Sequence, residues 1–281
     1  MIDFSVYEVG PRDGLQSSDT ITPTAKKVEL IEKIAKTGIK NIEVGSLVNP
    51  DKVPNMADSG IVFERVKHLT NTHNLAMLVP NKRGVERGKD VGVRNFNVFF
   101  SPSEQFNINN LGRTTSSVFG SYCNALNGIA KENVRVYLST AFGCPYIGDI
   151  PQGAMSKALE WADALGTTIV LCDTVGKANP TLIHETMKLT ENVDADIALH
   201  LHHGFRKGRM VDNLSAGFDS GVIQFDSSIG GMGGCPFIPG SGGNLATEQL
   251  VEWGEKEGLK CETNSDELNS LVKYVNAAIR Y

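Results

Sequence analysis

Long apolar runs are missing from this 281-residue chain. None reaches the ~18 residues that a membrane-crossing helix needs, so no membrane partner is expected. Paired cysteines are missing as well. The five cysteines, at 123, 144, 172, 235 and 261, are odd in number, widely spaced and without a CxxC pair. That argues against a disulfide framework or a zinc ribbon and fits a reducing compartment. There is no excess of positive charge. Lys and Arg number 27 against 32 Asp and Glu, a net −5, which argues against a general electrostatic grip on nucleic acid. No low-complexity linker divides the chain. Nor does a GxGxxG follow the first strand-like run, where Gly10–Gln16 reads GPRDGLQ. Met1 leads almost directly into that run, leaving no room for a targeting peptide. The expectation is one catalytic domain, 1–281, in the cytoplasm.

What is present is a regular alternation. Eight short runs rich in β-branched or apolar residues read as strands: Ser5–Val9, Asn41–Val44, Leu75–Val79, Asn95–Phe100, Arg135–Ser139, Thr168–Cys172, Ile197–His202 and Val222–Phe225. Amphipathic stretches lie between them: Ala25–Lys36, Val62–Thr70, Lys82–Asp90, Thr115–Ala130, Gly153–Leu165, Thr181–Thr190 and Val211–Ser220. In the first of these, Val28, Ile31, Ile34 and Ala35 share one face. A further helix starts near Thr247, and Ser265–Arg280 reads as a closing C-terminal helix. Strand–helix alternation predicts a parallel sheet covered by helices. Eight units in about 230 residues suit a closed (β/α)8 TIM barrel, with an open doubly wound sheet as the alternative.

In such a barrel the chemistry sits at the C-terminal strand ends, and polar residues recur there. Arg12, Asp13 and Gln16 follow the first run. Glu43 lies in the second, which leads to Ser46. Ser101, Ser103 and Glu104 follow the fourth, and Asp173 and Thr174 the sixth. His200 and His202 close the seventh, and Asp226 the eighth. Singly, each is explained as a cap or a solvated loop residue; their recurrence at one end is the signal. On a strand, His200 and His202 point to the same face, as two metal ligands must, although a hydrogen-bonded core pair has the same spacing. Asp13 is the candidate third ligand. A His/His/Asp set suits Mg²⁺, Mn²⁺ or Zn²⁺. Glycine is enriched, 29 residues, or about 10% against a usual ~7%. It clusters in residues 230–243 around Cys235, a loop able to lie flat over a ligand or close as a lid. Cys144, in Gly143-Cys144-Pro145, is the competing reactive thiol. Cys123, Cys172 and Cys261 read as packing residues.

Seven segments together resemble the 3-hydroxy-3-methylglutaryl-CoA lyase family of TIM-barrel metallolyases: EVGPRDGLQ (8–16), IEVGSLVNPDKVPNMAD (42–58), AFGCPY (141–146), DTVG (173–176), HLHH (200–203), DSSIGGMGGCPFIPGSGGN (226–244) and ATE (246–248). The cysteine loop is the most specific of them. The resemblance implies metal ligands at Asp13, His200, His202 and Asn244, and catalytic groups at Arg12, Glu43, Asp173 and Cys235. It implies cleavage of 3-hydroxy-3-methylglutaryl-CoA to acetoacetate and acetyl-CoA, a place in leucine degradation, an acyl-CoA partner and a homodimer. A related barrel aldolase or Claisen-type acyltransferase acting on another hydroxy acid is the alternative. The chain departs from the family's HxHDTYGxALAN, reading HLHHGFRKGRMVDN. His203 replaces Asp, two extra residues precede Asn213, and Arg206, Lys207 and Arg209 enter the loop. Ile108 and Asn109 stand where the family usually has lysines. In this reading a bound cation acidifies the substrate hydroxyl and holds its carboxylate. Asp173 or His202 takes the hydroxyl proton, Arg12 faces the enolate oxygen, and Cys235 returns a proton to the enolate. Glu43 orients Arg12 or the ligands.

Overall fold

The computed structural model describes residues 2–16, 18, 20–204, 209–233 and 243–279. Eight strands form a closed barrel in sequence order, every neighbouring pair parallel and β1 joined to β8. They are β1 (Ser5–Glu8), β2 (Asn41–Ser46), β3 (Asn74–Leu78), β4 (Asn95–Phe100), β5 (Val134–Leu138), β6 (Thr168–Cys172), β7 (Asp196–His200) and β8 (Gln224–Ser227). The helices outside them are α1 (Thr24–Lys36), α2 (Ser59–Val66), α3 (Lys82–Asp90), α4 (Glu104–Leu111), α5 (Thr115–Ala125), α6 (Gln152–Leu165), α7 (Pro180–Lys188), α8 (Arg209–Asp219), α9 (Thr247–Lys256) and α10 (Ser265–Ala278). This is the (β/α)8 TIM barrel that the alternation predicts, with its C-terminal helix. Among the described residues no helix is long and apolar enough to cross a membrane.

Most of the core lies between the sheet and the helix ring. Outward-facing Val6, Ile42, Val98, Val136, Ile169 and Leu199 pack with helix residues such as Leu30, Ile31 and Ile34 of α1 and Leu159 and Ala162 of α6. Each fully buried aliphatic side chain contributes roughly 1.5–3 kcal/mol, so this shell carries the stability. The barrel's inside is different. The register sets Tyr7 beside Asp226, Asp226 beside His200, and His200 beside Cys172. Polar and charged groups thus occupy the interior, and only buried partners make that tolerable.

The structure corrects several boundaries. Strand β8 is displaced two residues toward the C-terminus, because Val222 N bonds Gly217 O and closes α8 rather than joining the sheet. β7 ends at His200, and His202 instead bridges to Asn244. The helix starting at Thr115 ends at Ala125, not at residue 130, and the α2 segment begins three residues earlier than its apolar pattern suggests. An additional helix, α4, lacks a strong apolar stripe, since only Phe106 and Asn107 of it are buried. It is defined by its ends. Ser103 Oγ accepts from Phe106 N at 3.2 Å, and Gly112 stops it at φ 69°.

Candidate active site

After β1 the chain makes one wide helical turn over Gly10–Gly14, in which the N–H groups of Arg12, Asp13 and Gly14 all reach the Val9 carbonyl. The turn sets Arg12 and Asp13 over the barrel mouth. Arg12 is 7% exposed. Its Nε donates to Glu43 Oε2, and its Nη1 to Asp13 Oδ1 at 2.5 Å. Glu43 is fully buried on β2, at a register shift between Glu43 and Gly45. Its other oxygen accepts from Asn97 Nδ2 at 2.6 Å. Burial raises the Glu43 carboxyl above its ordinary range, against the pull of Arg12. Arg12 is therefore held from behind by a carboxylate and kept charged.

Asp13 is the hub of the next shell. Burial alone would raise its pKa, but Arg12, His200 and His202 outweigh that and lower it to about 2. Its Oδ1 also accepts from Gln16 Nε2 at 2.8 Å, and its Oδ2 from Asn244 Nδ2 at 2.7 Å. His200 Nε2 lies 4.0 Å from Asp13 Oδ2 and 3.0 Å from His202 Nε2. Ligand atoms of Asp13, His200 and His202 all fall within 4.8 Å of one another. The two imidazoles converge as the i, i+2 spacing predicts.

Asn244 arrives from another element. Residues 243–246 run across the ends of β7 and β8, with His203 N bonded to Gly243 O, Leu245 N to Leu201 O and Ser228 N to Leu245 O. This places Asn244 beside His202. The Asn244 Nδ2 also donates to Met232 O at 2.9 Å, while Oδ1 is buried without a hydrogen-bond partner of good geometry. An orphaned amide oxygen next to two converging imidazoles and a carboxylate fits a fourth oxygen ligand. Gly233, at φ 88°, makes this approach feasible. A Cβ there would come within 2.8 Å of Asn244 Nδ2 and 2.9 Å of the Asp13 carbonyl. A Gly233→Ala chain is expected to lose more than about 1 kcal/mol of stability and to bind divalent cations more weakly. Thermal melting and metal titration of that variant check both effects.

The histidines differ in environment. His200 Nδ1 sits 3.1 Å from Asp226 Oδ2. That contact, opposing the effect of burial, raises the imidazole's pKa. Burial and the neighbouring His200 lower His202 to about 4, so His202 is neutral at pH 7 and free to ligate. Asp226, behind His200, also takes Arg135 Nη2 at 2.5 Å. Asp173 immediately follows β6. Its Oδ1 accepts from Lys177 N at 2.8 Å, and the backbone N–H groups of Ala178 and Gly176 also face the carboxylate. Burial raises its pKa to about 6. A cavity of ≈ 610 Å³ opens above Asp13, His200 and His202, lined among others by these three, Arg12, Leu78 and Tyr137; Asp173 is not on its wall, although its chain neighbours Cys172 and Thr174 are.

Cys235, Arg206 and Lys207 lie outside the described residues, as does most of the glycine-rich loop. Cys144 is not on the cavity wall but buried, its Sγ 3.1 Å from Ser103 Oγ. Of the cysteines expected to pack, Cys123 is exposed, whereas Cys172 packs with Leu78, Tyr137, Val170 and Ala198 and also borders the cavity. His203 turns outward to Gln249 Oε1 at 3.0 Å. Arg135, Asn97 and Tyr137 escaped sequence reasoning. Their signal is the alternation within VRVYL and NFNVFF, where polar residues recur at every second position and so face inward. Glu8, likewise unremarked, ties the β1 turn to both ends of the loop after β8. It accepts from Gly10 N at 2.7 Å, Ile229 N at 3.0 Å and Thr247 Oγ1 at 2.6 Å.

The chain is similar to known proteins along nearly its whole length. The HMGL-like family model matches residues 3–275. The hydroxymethylglutaryl-CoA lyase YngG of Bacillus subtilis is 36% identical over 279 residues, covering 96% of this chain and 91% of its own length. The (R)-citramalyl-CoA lyase of Chloroflexus aurantiacus is 34% identical over 263 residues, 88% of this chain and 82% of its own. The structure of an HMG-CoA lyase from Acinetobacter baumannii, in complex with coenzyme A and 3-methylmalate, superposes with a TM-score of 0.90 at 32% identity, over 98% of this chain and 90% of that one. The chain belongs to the HMGL-like family and is a carbon–carbon lyase.

Proposed function

We propose that this lyase is divalent-metal-dependent and cleaves 3-hydroxy-3-methylglutaryl-CoA to acetoacetate and acetyl-CoA. The observation that carries the reading is the convergence of Asp13, His200 and His202 beside a clamped Arg12 at the floor of the ≈ 610 Å³ cavity. Asp13, His200, His202 and Asn244 would hold Mg²⁺ or Mn²⁺, with Zn²⁺ also suited to the donor set. When bound, the cation acidifies the substrate hydroxyl and fixes its carboxylate. The rest falls to side chains. Asp173 takes the hydroxyl proton, because the His202 Nε2 lone pair belongs to the ligand set and one lone pair cannot serve both ends. As the C2–C3 bond breaks, its electron pair passes to the thioester carbonyl, and Arg12 donates to the developing enolate oxygen. Cys235 delivers the proton that completes acetyl-CoA. Glu43 keeps Arg12 aimed. The same reading makes 1–281 one catalytic domain, cytoplasmic, homodimeric, and a step of leucine degradation.

Arg12→Lys keeps the charge and loses the planar fork. Its kcat is expected to fall about 10²–10³-fold with KM nearly unchanged, since the contact strengthens only as charge develops. A variant whose KM alone rises assigns Arg12 to substrate binding instead. Cys235→Ser is expected to fold, bind metal and turn over about 10²-fold more slowly. Thiol alkylation of the wild type cannot test this alone, because Cys172 lines the same cavity. The informative experiment alkylates a Cys172→Ala chain, where inactivation and protection by substrate must persist.

The citramalyl-CoA lyase relative supports a second reading, in which the hydroxy acid differs. Comparing kcat/KM on the 3-hydroxy-3-methylglutaryl and (R)-citramalyl thioesters decides between them. Preference for the second substrate overturns the first assignment.

A further inference from the structure

Asp226 and Arg135 stand outside the ligand set and outside the steps above, yet they form a buried ion pair in the barrel interior. Asp226 is 1% exposed and Arg135 6%. The guanidinium spans two residues of β8: Nη1 donates to Gln224 Oε1, and Nη2 to Asp226 Oδ1 at 2.5 Å. Its face lies 4.0 Å from the centre of the Tyr7 ring. The other Asp226 oxygen, Oδ2, faces His200 Nδ1 at 3.1 Å. A line of contacts therefore runs from β5 through β8 to the imidazole of β7 whose Nε2 points at His202 and Asp13.

We infer that Arg135 and Asp226 are positioning residues that lock His200 in the tautomer with the proton on Nδ1, leaving Nε2 as a free lone pair. The inference rests on the metal-site reading above and deepens it. Desolvating a carboxylate and a guanidinium is costly, and a neutral barrel interior would be simpler to build. What the pair supplies is direction. Arg135 holds Oδ1 and Oδ2 faces the imidazole, so an anionic acceptor at Nδ1 settles which nitrogen of the ring carries hydrogen.

A single-atom change makes this testable. In Asp226→Asn, Arg135 still needs an acceptor, so it takes the amide oxygen. The amide NH₂ then faces His200 Nδ1 and donates to it. That forces the proton onto Nε2, the ligating atom, and divalent affinity is expected to fall about 10–100-fold. Adding Arg135→Met releases the amide. It can then turn its oxygen to the Nδ1–H, and the double variant recovers part of the lost affinity although it has one more substitution. A purely structural role predicts the opposite order, with the double variant no better than the single.

Two readouts settle the matter. The first is ¹⁵N NMR of the His200 ring nitrogens in metal-free protein above pH 8. The wild type and the double variant should show the Nδ1–H tautomer, and Asp226→Asn the Nε2–H tautomer. The second is Mn²⁺ affinity by calorimetry, expected in the order wild type, double variant, single variant. An unchanged tautomer in Asp226→Asn overturns the inference, as does a double variant that binds no tighter than the single. If Asp226→Asn does not fold, the double variant decides on its own by retaining or losing the Nδ1–H form. A wild type that binds no Mn²⁺ refutes the metal reading, while the NMR comparison still tests the tautomer lock independently.

Discussion

His202→Ala is expected to abolish tight divalent binding and nearly all turnover while leaving the barrel folded. The His202 imidazole is buried but lies outside the apolar shell between sheet and helices. It lies beyond the end of β7, packed against the His200 ring with Nε2 3.0 Å from His200 Nε2. Its removal leaves Asp13, His200 and Asn244 as an incomplete set. Loss of a group that merely orients a ligand costs roughly 10–100-fold in affinity, and loss of the ligand itself must cost more. Metal content after dialysis and a thermal melt measure the two halves of the expectation. A His202→Ala chain that keeps wild-type metal stoichiometry removes His202 from the site.

Asp173→Asn is expected to lower kcat about 10³–10⁴-fold, toward the upper end for a general base, with metal binding retained. The carboxylate is buried, so bulk water does not replace it. The sign of the pH dependence follows from the shift. Burial raises Asp173 to about 6, and a base works only when ionised. Activity is therefore present above the pKa and lost as pH falls through it. A bound cation adds positive charge nearby, so this acid limb lies no higher than about pH 6. The same shift has a consequence for stability. A carboxyl whose folded pKa lies above its unfolded value near 3.9 destabilises the fold once ionised. Metal-free Asp173→Asn should therefore melt higher than wild type at pH 8, with the gap closing below pH 4. A pH profile with its acid limb intact in the Asn variant assigns the base elsewhere.

How far the sequence disclosed all this depended on the kind of signal. The strands were legible because both faces of a barrel strand are buried, so each reads as an apolar run between helical patterns. The closed barrel followed from the alternation together with the count of eight units, against an open doubly wound sheet. Helix α4 was not legible, because a short helix with two buried residues has no stripe, and only Ser103 and Gly112 mark it. The shift of β8 was hidden as well, since Val222 is apolar whether it closes α8 or enters the sheet. At the site, His200 and His202 came from strand periodicity, whereas Asn244 came only through the family resemblance. It reaches the histidines by a backbone bridge 42 residues away in sequence, which no local pattern encodes. Asp226 was visible as a strand-end carboxylate, but its service to His200 depends on the β7–β8 register, and Arg135 depends on a contact across the barrel. Inward-facing polar residues are recoverable from period-two patterns; which of them meet is a property of the closed sheet.

The central claim is that a cation held by Asp13, His200, His202 and Asn244 is required for cleavage of the hydroxyacyl thioester. The most direct measurement strips the protein of metal, titrates Mn²⁺ back, and follows acetyl-CoA release from 3-hydroxy-3-methylglutaryl-CoA. The account predicts no turnover in the stripped protein and a linear return of activity that saturates at one Mn²⁺ per chain. Full turnover by the stripped protein in the presence of chelator would contradict it.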